Sequence, residues 1–596
     1  MHNGMVDPWI VSRVDNNFVK YDPVLGFQAI TQGGAPANYR TVTDAVIDGA
    51  DLPLNNGTEI LNFASSATAV LGANLDVYAM RLDRDINSST NNAFNRITIR
   101  SGGLIQVANT PTIFPDLYFG PAGNGTGEAL IHASNNTLQI NGRIYASEVT
   151  KFGTAFLNIR SSQSQFSGDW NVNNGGLQFL TPTAAGSGQV FLNGARMNDR
   201  DNTMAVTELR YNFNSGSPDL LIWSGGKITV GDLGIIRSSG AADRLDQIPP
   251  IDLRTGGTSH EGIVYFQAEF ARHTMRTGPV TLYANYMIST DALTYGPGST
   301  SGVQIGPGNG AGGLFNQGLY DVRFTGDGVV TLGDNSTTFF GTGRSMTFGD
   351  GTVRAMHSGS LGGVGVTAYV RSTAALEIAA SNFVPTATLV QDPGSIERWA
   401  RSDARGTGNF TFAPGVHWQV FTDVVGNRQI NFGGGSIMGY LPLDYDQVAV
   451  IQTIREGVII NLTADSYLGQ IYPAGTSNGT NHQMFDMGKL NTATNLNPSD
   501  VGLRGSYLVI DADITGDFDL TKVGQDVIKL AGINSFRNLN IQNGVIQLGR
   551  NYALAATTLV NIEGAGTTGV LDINGYHQEI AGLTGDGGSV ENGDFQ

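Results

Sequence analysis

The chain has no cysteine. That absence removes disulfides, thiolate metal centres and cysteine nucleophiles together, so stability has to come from backbone pairing and packing. Charge is also sparse, at 14% of 596 residues, and unbalanced, with 34 basic against 51 acidic side chains and a formal charge of −17. No dense Lys/Arg stripe interrupts the acidic background, so nucleic acid is excluded as an expected partner. No stretch approaches the roughly 20 apolar residues of a membrane helix, and no transmembrane segment is expected. The opening MHNGMVDPWIVSRVDNN has neither a basic nor an apolar leader region, which implies either no export by this segment or a leader upstream of it.

What is abundant is glycine, 81 residues, alongside a 40% hydrophobic fraction. Glycine without a three-residue period excludes collagen, and the Val, Ile, Leu and Phe content excludes wholesale disorder. A single core rarely grows to this length, so several domains or an elongated repeat array are expected. The repeat is visible. GGLIQV at Gly102, GGLQFL at Gly175, GGKITVG at Gly225, GVVTLG at Gly328 and NGVIQLG at Asn543 each read as a glycine turn followed by a short strand. Ile228 with Val230, Val330 with Leu332, and Ile546 with Leu548 fall on one face under the two-residue period, while Lys227, Thr229 and Gln547 fall on the other. On that facing Ile546→Asp is expected to be disruptive and Gln547→Asp to be tolerated. The spacings between copies approximate multiples of a unit of about 24 residues, a solenoid-like length. One such unit cannot bury its apolar face alone, but stacked units can. At about 4.8 Å per rung the chain would make roughly 25 coils, a rod on the order of 120 Å.

Two segments resemble the autotransporter-associated β-strand repeat, whose pattern runs Lys-x-Gly, an alternating strand, Gly-x-Asn-x-aromatic, Ile or Val, then Gly-x-Leu-x-Leu. The later match supplies Lys522, Gly524, Ile528, Leu530, Gly532, Asn534, Phe536, Ile541, Gly544, Ile546 and Leu548. VLDINGYHQEIAGLTGDGGSVEN behind it is similar to the family's closing segment. The earlier match supplies Lys151, Gly153, Leu157, Ile159, Phe166, Gly168, Val172, Gly175, Leu177 and Phe179. The later copy departs from the pattern at Arg537 to Asn540, where the family carries a Gly-Thr step after the aromatic residue. Clear resemblance covers roughly 90–195 and 516–596, and the opening GMVDPWIVSRVDNNFVKYDP is similar to segments that recur in large family members. The resemblance implies an all-β, right-handed parallel β-helix (β-solenoid) with loop insertions, located outside the cell or at the cell surface of a Gram-negative bacterium. Such chains are often passengers exported by a C-terminal barrel, and no run of alternating membrane strands follows the closing segment. Four segments are expected: an N-terminal β-rich 1–90, a solenoid block 91–240, an irregular β-rich 241–515 and a C-terminal repeat 516–596.

Motifs for chemistry mostly fail. His260-Glu261 lacks a second histidine, since Val264 stands where it is needed. Ser436 has Gly434 before it but Met438 after it, which breaks the nucleophile-elbow spacing. GPAGNGTGEA from Gly120 has no lysine and reads as turns, not a phosphate loop. In VIDADITGDFDLTK, Asp511, Asp513, Asp517 and Asp519 alternate around Gly516 and could meet calcium from one strand face. The twelfth position is Lys522 instead of glutamate, and the plainer alternative is a solvated acidic face. Lys522 and Lys529 are the nearest candidate bases. Trp9, Trp170, Trp223, Trp399 and Trp418 are dispersed, which favours core packing over a sugar platform.

The expectation is therefore a non-catalytic structural or adhesive solenoid with no resident cofactor apart from that calcium candidate. Its partners would be surface glycans, the cell envelope, or further copies joined head to tail through open β edges into filaments. The alternative is a polysaccharide-binding or polysaccharide-cleaving β-helix.

Overall fold

A computed structural model describes residues 5–12, 15–31, 39–47, 57–64, 67–88, 96–163, 165–194, 206–212, 220–239, 245–255, 261–268, 274–292, 302–305, 315–326, 328–333, 344–439, 452–469, 507–524, 526–563 and 569–593. Among them there is no helix, and the strands form parallel ladders that stack into a β-solenoid. The chain divides into two compact units, Met1–Ile288 and Ser289–Gln596.

In the first unit the strands Ala79–Leu82, Gly103–Gln106, Ala129–Ala133, Glu148–Phe152 and Asp169–Val172 pair in parallel, each with the next. Register fixes the interior. Met80, Leu104, Ile131, Lys151 and Val172 occupy one inward row, continued by Leu192, Val230 and Leu253. All of these are buried. Each buried aliphatic side chain contributes about 1.5–3 kcal/mol relative to exposure, so every rung depends on its neighbours. A second ladder carries Leu138–Ile140, Phe156–Ile159, Gly175–Phe179, Thr207–Asn212, Leu233–Ser239 and Gly262–Ala268 in the same register from rung to rung. Pairing continues across residues 90 and 240, where the sequence suggested segment boundaries: Ile86 pairs with Ile113, and Ile236 with Phe266.

The rungs are not uniform. Val527 pairs with Val545 and Val190 with Ile228, so the second of these coils is about twice as long as the first. The repeat unit expected from the sequence is thus an average, because a coil can lengthen at its corners without disturbing the strands that pair.

The N-terminal stretch is β-rich, as the sequence suggests, but it opens on an antiparallel meander of Val11–Ser12, Asn17–Asp22 and Gly26–Ala29. The Asp22 carboxylate accepts hydrogen bonds from the backbone N–H groups of Val24 and Leu25 at 2.8 and 2.9 Å, which closes the turn. Phe18 packs in one cluster with Ile60, Ala79 and Ile105. That contact sets the facing of GGLIQV: Gln106 occupies the interior and Ile105 the outer face, where the meander covers it.

In the second unit, Tyr507–Ile510, Val527–Leu530, Gly544–Leu548, Gly569–Asp572 and Ser589–Glu591 form one ladder. A second runs through Ser466–Leu468, Asp519–Lys522, Asn538–Ile541, Leu559–Ile562 and Gly582–Gly585. Ile546 and Leu548 face inward, as the repeat predicts, and both are fully buried. Gln547 faces the other way but is not a free surface residue, since its Nε2 donates to the buried Asp572 carboxylate at 2.9 Å. Its expected tolerance to aspartate is corrected accordingly.

Ile546→Asp should cost about 4 kcal/mol or more in denaturant unfolding, as an unpaired charge between Ile528 and Leu571 would. Val545→Thr on the outer row should cost less than about 1 kcal/mol. Equal losses would refute the assigned facing.

Candidate functional site

The four aspartates do not converge. Asp513 lies in the strand Asp513–Thr515, which pairs with Val458–Leu462, while Asp519 lies in Asp519–Lys522, which pairs with Ser466–Leu468. Between them Gly516, at φ +123°, turns a corner so tight that a Cβ would stand 2.6 Å from the Leu462 carbonyl oxygen. The single strand face expected from the sequence is therefore two faces of two ladders. Asp513 Oδ1 accepts the Ile533 backbone N–H at 2.7 Å. Asp519 Oδ1 accepts from Arg537 Nε at 2.7 Å and from Asn538 Nδ2 at 2.8 Å. Arg537 also reaches Asp465 at 3.2 Å. Asp517 is exposed, and Asp511 makes no side-chain hydrogen bond among the described residues. Hydrogen bonding to Asp519, with Asp465 and Asp517 nearby, holds the Arg537 guanidinium above its ordinary range. Arg537, the residue at which the later copy departs from the repeat pattern, supplies the cation for this acidic corner. Among the described residues no group of three or more His, Asp or Glu is placed to hold a metal ion.

The candidate base Lys522 has a different occupation. Its side chain points into the solenoid, in the row between Leu468 and Ile541, and is fully buried. Nζ donates to the carbonyls of Val523 and Gly524 and to Asp526 Oδ1, each at 2.7 Å, and approaches the Asn543 carbonyl at 3.2 Å. Lys151 repeats the arrangement, donating to the carbonyls of Gly153 at 2.5 Å and Asn174 at 2.6 Å. In both copies the second partner belongs to an Asn-Gly turn of the following rung. Gly175 and Gly544 have φ of +69° and +72°, and a Cβ there would come within 2.5 and 2.6 Å of the respective lysine Nζ. Lys-x-Gly and Asn-Gly are thus two halves of one clamp. The copies differ at one position: Asp526 offsets the buried ammonium in the later one, and Ala155 occupies its place in the earlier.

Amide side chains perform a related task, which sequence reasoning did not assign to them: Asn534 entered only as a repeat position and Gln163 not at all. Asn534 accepts the Ile514 N–H at 3.1 Å and donates to the Gly532 and Ala553 carbonyls at 3.1 and 2.8 Å, linking three successive rungs. Gln163 accepts the Ile144 N–H at 2.8 Å and donates to the Gly142 carbonyl at 3.2 Å. The available signal was a polar residue two places after Gly or Ser at the end of an alternating strand. Arg84, nearly fully buried, reaches the carbonyls of Val42, Thr43, Asp44 and Ala67.

Other candidates are equally committed. Ser436 Oγ donates to the Gly469 carbonyl, and the adjacent His417 Nδ1 accepts the Ser436 backbone N–H at 3.0 Å, not its hydroxyl. The fully buried Glu397 receives both arms of Arg405 at 2.9 and 2.7 Å and the Trp399 indole N–H at 2.8 Å. Trp170, Trp223, Trp399 and Trp418 are core residues as expected, whereas Trp9 is 59% exposed. Lys529 lies half-buried on an outer row, and His260 falls outside the described residues. No family model and no curated protein matches the chain.

Burial pushes the Lys151 ammonium down to about 7. A lysine lowered on folding holds fewer protons in the folded state between that value and the ordinary one near 10.4. Its cost is therefore fully present below pH 7 and is relieved as pH rises. The melting temperature of wild type minus that of Lys151→Met should be flat below pH 7 and grow toward pH 10, and a difference that shrinks would refute the assignment. Lys522→Met should cost about 3–5 kcal/mol because the buried Asp526 carboxylate loses its ammonium partner, and the double variant with Asp526→Ala should recover part of that loss.

Proposed function

We propose that this chain is a non-catalytic structural or adhesive solenoid of the bacterial cell surface. The observation that carries the reading is the position of its chemically capable side chains. Lys151, Lys522, Asp526, Asn534, Gln163, Glu397 and Arg405 are buried or nearly so, and each is bonded to a turn, to an adjoining rung or to another of them. That pattern suits a scaffold whose product is its own regular surface. The Gram-negative, extracellular setting rests on the resemblance of the two Lys-x-Gly repeats, whose shared clamp supports their being copies of one unit. Surface glycans or the cell envelope are the partners of this reading.

Self-association belongs to the same proposal. The inward row Leu539, Val560, Leu583 and its counterpart Ile546, Leu571, Val590 are buried until the last rung, where Leu583 and Val590 stand 53% and 47% exposed. Such a row is a template for another rung, and a second copy stacked on it head to tail is the self-association this reading proposes.

Incubation with acidic and neutral polysaccharides should yield no new reducing ends and no unsaturated products. Appearance of either would replace the scaffold reading with the polysaccharide-cleaving one. Light scattering across a concentration series should show growth for wild type and little for Leu583→Lys. A wild-type monomer at every concentration would remove the head-to-tail contact while leaving the scaffold reading intact.

A further inference from the structure

One outer row of the first unit differs in kind from the clamps inside. Gln139, Asn158, Gln178, Arg210, Arg237 and Gln267 stand in consecutive register on the second ladder, one per rung. Their chain neighbours Ile140, Leu157, Leu177, Leu209, Ile236 and Phe266 are buried, so the polar side chains project from the opposite face, where Gln139, Asn158, Arg210 and Arg237 are half-buried and Gln178 and Gln267 are covered. None of the six is acidic, and two are cationic, in a chain of charge −17.

The two guanidiniums are held in place along one edge. Arg210 Nε and Nη2 both meet Glu208 Oε1 at 2.9 Å, and Arg237 Nε and Nη2 meet Gln267 Oε1 at 2.9 and 2.5 Å. Glu208 lies 3.4 Å from Arg237 as well, so one carboxylate serves two cations. Nη1 of each arginine has no protein partner among the described residues, and both side chains keep about a fifth of their surface exposed, 21% and 18%. In the flanking row the Phe156 ring lies over Gly176, where a Cβ would stand 2.1 Å from it, and Arg210 rests 4.5 Å from the same ring's centroid. Asn158 Oδ1 is shielded from solvent with no partner among the described residues.

We infer that this row binds an extended acidic polysaccharide laid along the stack, an inference that rests on the adhesive reading and names its ligand. Preorganised guanidiniums with free N–H groups suit carboxylate or sulfate substituents in a way that lysines would not. The half-buried amides of Gln139 and Asn158 offer both donors and acceptors, which match sugar hydroxyls. Phe156 supplies an apolar surface of the kind pyranose rings cover. Rungs recur about every 4.8 Å, comparable with one sugar residue, so consecutive sugars meet consecutive rungs. Two cations are too few to hold a nucleic acid backbone by charge neutralisation, and the amides have no role there.

The test uses the full chain and isothermal titration with polygalacturonate, with dextran as the neutral control and with poly-glutamate and a single-stranded oligonucleotide as polyanion controls. Binding to polygalacturonate should weaken as salt rises and be absent for dextran. Arg210→Gln with Arg237→Gln should lose at least about tenfold in affinity. Because that pair contacts Glu208, Gln139→Glu provides a second probe outside the ion pair, with an expected loss of about threefold or more at an unchanged melting temperature. Equal binding of dextran, preference for poly-glutamate or the oligonucleotide, or undiminished affinity in folded variants would overturn the inference. Failure here with no polysaccharide cleavage leaves the scaffold reading standing. Cleavage with intact Arg-dependent binding overturns the scaffold reading and keeps the site.

Discussion

The structure depends on one constraint: a coil that turns back on itself rotates some backbone carbonyls inward at its corners, where no strand lies opposite. Buried carbonyls without donors cost about 1–3 kcal/mol each, and a solenoid generates them at every turn. This chain answers with long donor side chains that reach the corner from an inward row. Lys151 and Lys522 do it with ammonium groups, Arg84 with a guanidinium, and Gln106 with an amide whose Nε2 meets the Ala108 and Asn109 carbonyls at 3.1 Å. Each such residue sits where an aliphatic side chain would otherwise pack. The loss of hydrophobic burial is tolerated because the corner cannot be left open.

That constraint also decides which features were legible. Alternation of apolar residues and glycine turns marked the strands of GGKITVG, GVVTLG and NGVIQLG with the correct inward face, since both signals are local. The resemblance located Lys522, Gly524, Asn534 and Gly544 without saying what they do, because the clamp joins groups on successive rungs, which are neighbours in space and not in sequence. The facing of Gln106 and Ile105 was not legible for the same reason. Their facing is set by a meander that begins at Val11, far upstream, and no window on GGLIQV contains it. The acidic string failed differently: its alternation is genuine, but Gly516 places a corner within it, so Asp513 stayed with one ladder and Asp519 passed to the next. Coils that differ about twofold in length, as the pairings of Val527 with Val545 and of Val190 with Ile228 require, then blurred the period that would have shown where corners fall.

Parallel stacking in register has a further consequence for chemistry. A residue type recurring once per coil becomes a continuous row, and its meaning depends on whether the row faces in or out. Inside, the Lys522 ammonium meets four acceptors within 3.2 Å, so the group is closed to ligands. Outside, Arg210 and Arg237 are fixed on one edge, and among the described residues the other edge has no partner. The same geometry that forces the interior to satisfy itself therefore leaves the exterior to be satisfied by something else, at a spacing the backbone sets. A solenoid needs no cavity to make a site. It needs an outer row whose side chains are held in place without being fully paired, and in the proposed row of the first unit Arg210 and Arg237, on adjacent rungs, have that form.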